Sequence, residues 1–280
     1  EILLGPLSGW NVIHYFLKEI CGYSVDEAAA KGIASRLKQR SSELAKHTLL
    51  SDVVFILPNN RSGIFLKKEL KQQLKAVTIY PKIVSIEQFV EELSGLQLID
   101  HTSLLFEFYR AHKTLYPQDL ERFDSFIRWA SWLLKDFNEI DCNLVGADEI
   151  FSYLSDLKRI DAQFDADEIK QAVSANYLSF IQKFKPYYTE LTNTLSTQGM
   201  GYQGMLFKQA GNNVSSYMQN RPSTKHVLVG FNALNRAEEK IFNALLSNPG
   251  TEIYWDYDAY YIKNKNGIGL FINKYLKEWP

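Results

Sequence analysis

Residues 226–232, His-Val-Leu-Val-Gly-Phe-Asn, and residues 251–258, Thr-Glu-Ile-Tyr-Trp-Asp-Tyr-Asp, decide the fold of this chain. Both are short apolar runs with β-branched or aromatic residues, which are typical of strands. Between them, Asn235 and Glu238 form a helix-capping pair, and residues 248–250, Asn-Pro-Gly, form a turn. The stretch therefore predicts strand, helix and strand, which is the repeat of a parallel α/β sheet.

The same repeat is found earlier in the chain. Val53–Pro58 is a continuous apolar run, which favours a strand that is buried on both faces of a parallel sheet. A helix with a leucine-rich inner face follows, and residues 77–84 supply a second strand. Ser85 and Gln88 then form a capping box, and Gly95 ends the helix that this box begins. The first part of the chain also predicts an α/β sheet.

From about Leu98 to Asn220 the pattern predicts helices only. Pro117 ends one helix, residues 123–140 form a long amphipathic stripe, and Pro186 should break another helical pattern. We interpret this block as a helical insertion between strands of one sheet. The predicted divisions are an N-terminal helical segment (1–50), the first part of the α/β domain (51–97), the insertion (98–221) and the second part of the α/β domain (222–280).

Composition limits the class of protein. The chain has 280 residues, is 46% hydrophobic and has a formal net charge of −1, so its overall charge does not attract nucleic acid. Two cysteines favour a reducing, cytoplasmic setting, and no apolar run approaches the roughly 18 residues that span a bilayer. The start lacks an initiator Met and a signal peptide, so we expect a fragment of a longer protein.

Nucleotide-binding motifs are absent or misplaced. The chain contains no Gly-Lys dipeptide, which excludes a standard Walker A phosphate loop. The turn Asn59–Gly63 lies where such a loop would, but it offers one Gly and no Lys. Residues 199–204, Gly-Met-Gly-Tyr-Gln-Gly, match the dinucleotide pattern in letters, yet a helical pattern precedes them. We interpret them as a turn between helices.

Metal and nucleophile chemistry have little support. The five histidines show no ligand spacing, and His112 on an apolar face is typical of a core residue. Neither Cys21 nor Cys142 has the context of a nucleophile. The Asp-x-Lys and Glu-x-Lys spellings at Asp156 and Glu238 fall on predicted helices, so a nuclease motif there is a chance match.

Clusters of acidic residues are interpreted as solvated helix faces, namely Asp136, Glu139 and Asp141, and Asp165, Asp167 and Glu168. The densest basic run comprises Arg61, Lys67, Lys68, Lys71 and Lys75, directly after a strand end. It is either a solvated helix face or a contact to a phosphate backbone, because strand ends in open α/β sheets face the ligand crevice.

Several blocks in order resemble the helicase-like start of the B subunit of bacterial ATP-dependent helicase–deoxyribonucleases, in the form found in Bacteroidetes-like sequences. The likeness runs from about Val53 to the end. Its blocks are Phe55–Gly63, Ile83–Phe89, Phe123–Trp129, Leu133–Asp141, Tyr202–Met205 and Val229–Asn235.

The resemblance assigns helicase motifs to three stretches of the chain. Phe55–Gly63 is similar to motif Ia, which contacts single-stranded DNA, and 229–232 and 255–261 would replace motifs II and III. An active superfamily 1 helicase ends its motif II strand with an acidic pair. Here the degenerate motif positions are Gly230, Phe231, Asn232, Asp256 and Asp258.

The resemblance thus implies a degenerate P-loop-like sheet, similar to helicase domain 1A, with a helical insertion similar to domain 1B. It implies an inactivated motor that tracks DNA or acts as a scaffold in double-strand break repair and recombination. Its partners would be single-stranded DNA or a duplex end and an active helicase–nuclease subunit, without a membrane. No catalytic group and no cofactor are expected in this segment. Magnesium, and an iron–sulfur cluster in some members, belong to the family's downstream nuclease domain.

The predicted DNA contacts are the strand-end and helix residues Asn59, Asn60, Arg61, Ser62, Lys67, Lys71 and Ser85. Two alternatives remain open at this point. One is an interaction scaffold that docks an active helicase subunit and does not touch DNA. The other is a small-molecule enzyme that uses the crevice at the carboxyl edge of the sheet.

Overall fold

A computed structural model describes residues 52–73, 81–164, 178–231, 233–255 and 270–279. They fall into two units, one within Glu1–Val90, Val214–Leu234 and Glu239–Pro280, and the other within Glu91–Asn213 and Asn235–Glu238. We call the first the sheet unit and the second the helical unit. The predicted N-terminal helical segment (1–50) and Cys21 lie outside the described residues.

The elements follow one another along the chain as β1 (Val53–Leu57), α1 (Asn60–Gln73), β2 (Lys82–Ser85), α2 (Ile86–Ser94), β3 (Gln97–Leu98), α3 (His101–Leu115), a 3₁₀ turn (Pro117–Asp119), α4 (Phe123–Cys142), α5 (Ala147–Phe164), α6 (Phe184–Thr197), β4 (Met200–Gly201), α7 (Gln203–Asn220), β5 (Lys225–Phe231), α8 (Arg236–Leu246), β6 (Glu252–Trp255) and α9 (Leu270–Glu278).

The sheet unit contains a four-stranded parallel sheet in the order β2-β1-β5-β6. All five residues of β1 are buried, as expected for a central strand that is covered on both faces. The protein is therefore a mixed α/β protein with a small parallel sheet and a majority of helices, which confirms the predicted fold class at that level. Strand β2 is described from Lys82 onward, and residues 77–80 of the predicted strand lie outside the described part.

The helical unit is held together by aromatic packing. Phe108 of α3 contacts Phe126 and Phe137 of α4 at ring-centroid distances of 5.1 and 6.0 Å, and Tyr187 of α6 at 5.3 Å. Most of these pairs are edge-on or tilted, which is the geometry that the ring quadrupole favours. These rings belong to one buried cluster that also takes in Leu191 and further residues of α5 and the α7 start.

The prediction of helices only between Leu98 and Asn220 is wrong at two places. Gln97–Leu98 and Met200–Gly201 form a two-residue parallel ladder, in which the backbone N–H of Ile99 donates to the carbonyl of Gly201 at 3.0 Å. Strands this short leave no alternating pattern, because their pairing depends on residues about a hundred positions apart in the chain.

The helix end predicted at Pro117 and the helix break predicted near Pro186 are both confirmed. Helix α3 ends at Leu115, just before Pro117. The pattern predicted from 177 to 195 is broken, because α6 begins at Phe184 and carries Pro186 within its first turn. A proline is tolerated there, since the N–H groups of the first turn have no partner inside the helix. Among the described residues, no helix combines the length and apolarity needed to cross a membrane.

Candidate functional site

The carboxyl ends of the parallel strands lie along one edge of the sheet, where open α/β sheets bind their ligands. Strand β1 leads there into Asn59, β2 ends at Ser85, β5 ends at Phe231 and β6 ends at Trp255. The structure therefore brings the turn after β1, the end of β2 and the end of β5 to the same edge.

Asn59 caps the first turn of α1. Its Oδ1 accepts hydrogen bonds from the backbone N–H of Ser62 at 3.0 Å and from the Ser62 hydroxyl at 3.1 Å. Ser62 is buried, whereas Asn60 and Arg61 are exposed. Of the four predicted DNA contacts in this turn, the structure leaves Asn60 and Arg61 accessible and uses Asn59 and Ser62 to satisfy the helix end.

Ser85 caps α2 in the reciprocal arrangement that the sequence predicts. The backbone N–H of Gln88 donates to Ser85 Oγ at 3.3 Å, and the backbone N–H of Ser85 donates to Gln88 Oε1 at 3.1 Å. Ser85 is buried. Its hydroxyl is thus engaged in the protein, which leaves its predicted role as a DNA contact without an exposed group to perform it.

A second capping box precedes α8. The backbone N–H of Glu238 donates to Asn235 Oδ1 at 2.8 Å, and the backbone N–H of Asn235 donates to Glu238 Oε2 at 2.9 Å, as predicted. Burial raises the pKa of Glu238 above its ordinary value. Helices α1, α2 and α8 follow strands β1, β2 and β5. At the start of each helix, the side-chain oxygen of the capping residue accepts a hydrogen bond from a backbone N–H of the first turn, a group that could otherwise bind a phosphate.

The end of β5 carries a buried aromatic ring at the position to which the resemblance assigns motif II. Gly230 has a φ of 84° beside an irregularity in the pairing with β6, and this backbone conformation favours glycine. Phe231 is buried against Phe242 of α8, with ring centroids 4.8 Å apart. Asn232 lies outside the described residues. The two described positions of this motif offer no oxygen ligand from a side chain.

The end of β6 is also closed by aromatic packing. Trp255 is buried and stacks on Tyr275 of α9 with ring centroids 4.7 Å apart and planes within 3°, and Trp279 lies 5.4 Å from Trp255. The Tyr275 hydroxyl donates to Glu239 at 2.9 Å. Asp256 and Asp258, the acidic candidates in this region, lie outside the described residues. Aromatic side chains thus fill the described ends of both strands.

Potential metal ligands do not cluster in the described part of the chain. There, no group of three or more His, Cys, Asp and Glu side chains is placed to hold a metal ion. Glu239 is engaged by the Tyr275 hydroxyl and by the Lys274 amine at 2.8 Å.

Helix α1 presents a basic face. Arg61, Lys67 and Lys68 are exposed, and Ile64 among them has 66% of its surface exposed. Lys71 lies in the helix, but its side chain is outside the described set, and Lys75 is outside it altogether. The exposed cations at 61 and 67 follow the sheet's carboxyl edge and are placed to attract an anionic ligand.

The interpretation of Asp141 as part of a solvated acidic face is wrong. Asp136 and Glu139 are exposed, but Asp141 is completely buried. It lies near the end of α4, four residues after the buried Phe137, so it occupies the inward face of that helix. A buried carboxylate is stable only with hydrogen-bonded partners. The second predicted acidic cluster, at 165–168, lies outside the described residues.

Three side chains surround the Asp141 carboxylate. The Tyr188 hydroxyl and the Lys208 amine donate to Oδ1 at 2.6 and 2.9 Å, and the Tyr202 hydroxyl donates to Oδ2. Burial first, and then the hydrogen bond to Asp141, raise the pKa of Tyr188 to about 12, and the pKa of Tyr202 is also raised well above its ordinary value. Burial alone would lower the pKa of Lys208, but Tyr188 and Asp141 raise it. This cluster links α4 to α6 and α7 within the helical unit.

The glycine-rich stretch has a packing role. A Cβ on Gly204 would lie 2.5 Å from the backbone carbonyl oxygen of Asn138, and the Gly204 N–H donates to Asn138 Oδ1 at 2.7 Å. The stretch connects α6 to α7, as predicted, and it contains the two-residue strand β4. Because α4 fills the space at Gly204, a dinucleotide phosphate has no room there.

His112 is a core residue, as predicted, and Cys142 is also buried. His112 is buried, its Nδ1 lies 2.7 Å from the Tyr187 hydroxyl, and burial lowers its pKa. Burial raises the pKa of the Cys142 thiol to about 12, so the reactive thiolate is disfavoured.

Sequence reasoning missed two informative features. They are the aromatic rings that pack on Trp255 at the end of β6, and the burial of Asp141. Helical spacing from Phe137 could have placed Asp141 on the inner face. A scan against models of protein families finds no match, and no curated protein matches this chain.

Proposed function

We propose that this chain is the inactivated helicase-like region of a cytoplasmic helicase–nuclease subunit, which contacts DNA during double-strand break repair and recombination. In this proposal the sheet unit is a degenerate P-loop-like domain, the helical unit is its insertion, and an active helicase–nuclease subunit is the partner. Magnesium and any iron–sulfur cluster would belong to a nuclease domain elsewhere in the parent protein.

One observation carries the proposal: a small parallel α/β sheet is present, and side chains of the protein itself fill the described part of its carboxyl edge. Parallel pairing puts β5 beside β1 and β6, as the magnesium-binding and nucleotide-sensing strands of a helicase require. Phe231 and Trp255 close the ends of β5 and β6 with buried rings. Side-chain caps occupy the N–H groups at the start of α1 and α2.

The DNA part of the proposal is supported by the face of α1. Asn60, Arg61 and Lys67 are exposed on a helix that leaves the carboxyl edge of the sheet. Such a face can hold a phosphate backbone without reading bases. The overall charge of −1 means that affinity must come from this local patch.

Salt-dependent binding of a fluorescein-labelled oligothymidylate, followed by anisotropy, tests the proposal. Each phosphate contact to a single strand contributes about 0.7 to the slope of log K against log salt. Arg61→Glu combined with Lys67→Glu should lower that slope by about 1.4, while the exposed Lys277→Glu on α9 serves as the matched control. ATP should not compete with the oligonucleotide or bind by itself.

Two results would overturn the proposal. Tight ATP binding that is lost on substitution of Asn60 or Arg61 would show that the nucleotide site still works. Slopes that are identical in the double variant, the control and the unmodified chain would remove the DNA contact from α1. The second result would favour the alternative scaffold, for which the exposed Phe106 and Leu120 of the helical unit are candidate docking groups.

A further inference from the structure

Trp132 is an exposed aromatic residue that the core of the helical unit does not use. It lies in the middle of α4, and 69% of its surface is exposed. The inner face of α4 is complete without it, because Ala130, Leu133 and Phe137 are buried there. Packing within the helical unit therefore gives no reason for a tryptophan at this position.

Two cations flank the Trp132 ring. The Lys135 amine lies 4.9 Å from the ring centroid, and the exposed Arg128 precedes Trp132 by one helical turn on the same face. Carboxylates lie toward the other end of this face, where Asp136 and Glu139 are exposed. A positive charge thus lies on each side of Trp132, from Arg128 toward the start of α4 and from Lys135 toward its end.

A solvent-exposed aromatic ring with a cation on either side can bind a single-stranded nucleic acid. A base stacks on the ring face, and the neighbouring phosphates pair with the cations. A protein partner would favour an apolar surround, but Arg128, Lys135 and Asp136 border this ring. Lys135 lies over the ring in the free protein, and its flexible stem allows the amine to move to a phosphate when a base takes that place.

We propose that Trp132, with Arg128 and Lys135, forms a stacking platform for one base of single-stranded DNA. This platform belongs to the helical unit, whereas the α1 face belongs to the sheet unit, and the platform rests on the proposed function only in the choice of DNA as the ligand. The phosphates next to the stacked base would pair with Arg128 and Lys135, which lie on either side of the ring.

A second exposed ring provides a matched control. Tyr153 on α5 has 60% of its surface exposed, but exposed acidic residues, Glu149 and Asp156, lie one turn away on either side. Since carboxylates disfavour a phosphate backbone, the proposal predicts stacking at Trp132 and none at Tyr153.

Binding of a labelled oligothymidylate is compared with binding of an abasic oligonucleotide of the same length. Stacking is worth about 1–3 kcal/mol per base, so Trp132→Ala should weaken oligothymidylate binding about 5- to 150-fold. Trp132→Phe should retain most of the affinity, and Tyr153→Ala should retain all of it. The abasic strand keeps the phosphates but has no rings, so Trp132→Ala should leave its affinity unchanged.

Failure of this platform can be told apart from failure of the α1 contact. Unchanged oligothymidylate affinity in Trp132→Ala, or equal losses in Trp132→Ala and Tyr153→Ala, overturns the platform. If the α1 double variant alone flattens the salt slope, the proposed function stands without the platform. If Trp132→Ala alone weakens binding, the platform stands and the α1 contact fails. An unmodified chain that binds neither strand overturns both.

Discussion

Replacing Asp141 with asparagine tests whether the buried carboxylate holds the helical unit together. The substitution keeps the shape but removes the charge that accepts hydrogen bonds from Tyr188, Tyr202 and Lys208. A hydrogen bond to a charged group contributes about 1.5–3 kcal/mol, and the asparagine oxygen can still accept one of them. The Lys208 side chain is 40% exposed, so solvent screens its ion pair and we assign it a small share.

The free energy of unfolding should therefore fall by roughly 3–5 kcal/mol. Urea unfolding at pH 7, followed by circular dichroism, measures the total change. Hydrogen exchange of peptides from α4, α6 and α7 locates it, because the donors to Asp141 lie on α6, at the start of α7 and within α7.

Asp136→Asn is the matched control on the same helix. Asp136 has an exposed side chain, although desolvation by its surroundings and the nearby Glu139 raise its pKa. Its charge therefore does not favour the folded state, and losing it should lower stability by no more than about 0.5 kcal/mol. A loss below about 1 kcal/mol in Asp141→Asn, or equal losses in the two variants, would refute the argument for a buried anchor.

Two further predictions concern His226 and Gly204. Burial, with a smaller effect of Arg221, lowers the pKa of the buried His226 from 6.5 to about 4, so its contribution to stability is complete above pH 6.5 and is lost as the pH falls toward 4. The free energy of unfolding, measured with urea at pH 7 and 4.5, should fall with acid in the unmodified chain, and it should fall by up to about 3 kcal/mol less in His226→Gln. An equal fall in both proteins would contradict this. Gly204→Ala should cost about 1–3 kcal/mol in thermal unfolding, because its Cβ would press on the Asn138 backbone. Gly146→Ala, which meets only the flexible Glu149 side chain, should cost less, and similar costs would rule out the close approach.

Local signals made the strands and the helix starts predictable. An unbroken apolar run at Val53–Leu57 gave a buried strand, and the spacing of Ser85 with Gln88 gave a cap with the expected bonds. These features depend on residues within one or two turns of each other. The two-residue strands at 97–98 and 200–201 were not predictable, because only their distant pairing creates them.

The sequence predicted where the contact site lies but not which of its side chains are exposed. The pattern located Asn59–Ser62 at a strand end, and the structure places it there. The sequence pattern could not decide which of these polar groups face solvent. Asn59 and Ser62 bond to each other, while Asn60 and Arg61 stay exposed, because N-capping consumes the cap residue and the backbone N–H of the third helical residue.

Asp141 shows how a charge pattern misleads when the helical phase is ignored. Three acids within six residues suggest one solvated face, yet a helix turns by about 100° per residue and separates them. Asp141 follows Phe137 by four residues and so continues the buried stripe, whereas Asp136 does not. Its three donors come from residues 47 to 67 positions away, so periodicity alone can place the carboxylate inside but cannot identify what stabilises it. An acid that falls in phase with an apolar stripe therefore predicts distant donors, and the tyrosines and lysines of neighbouring helices are the first candidates.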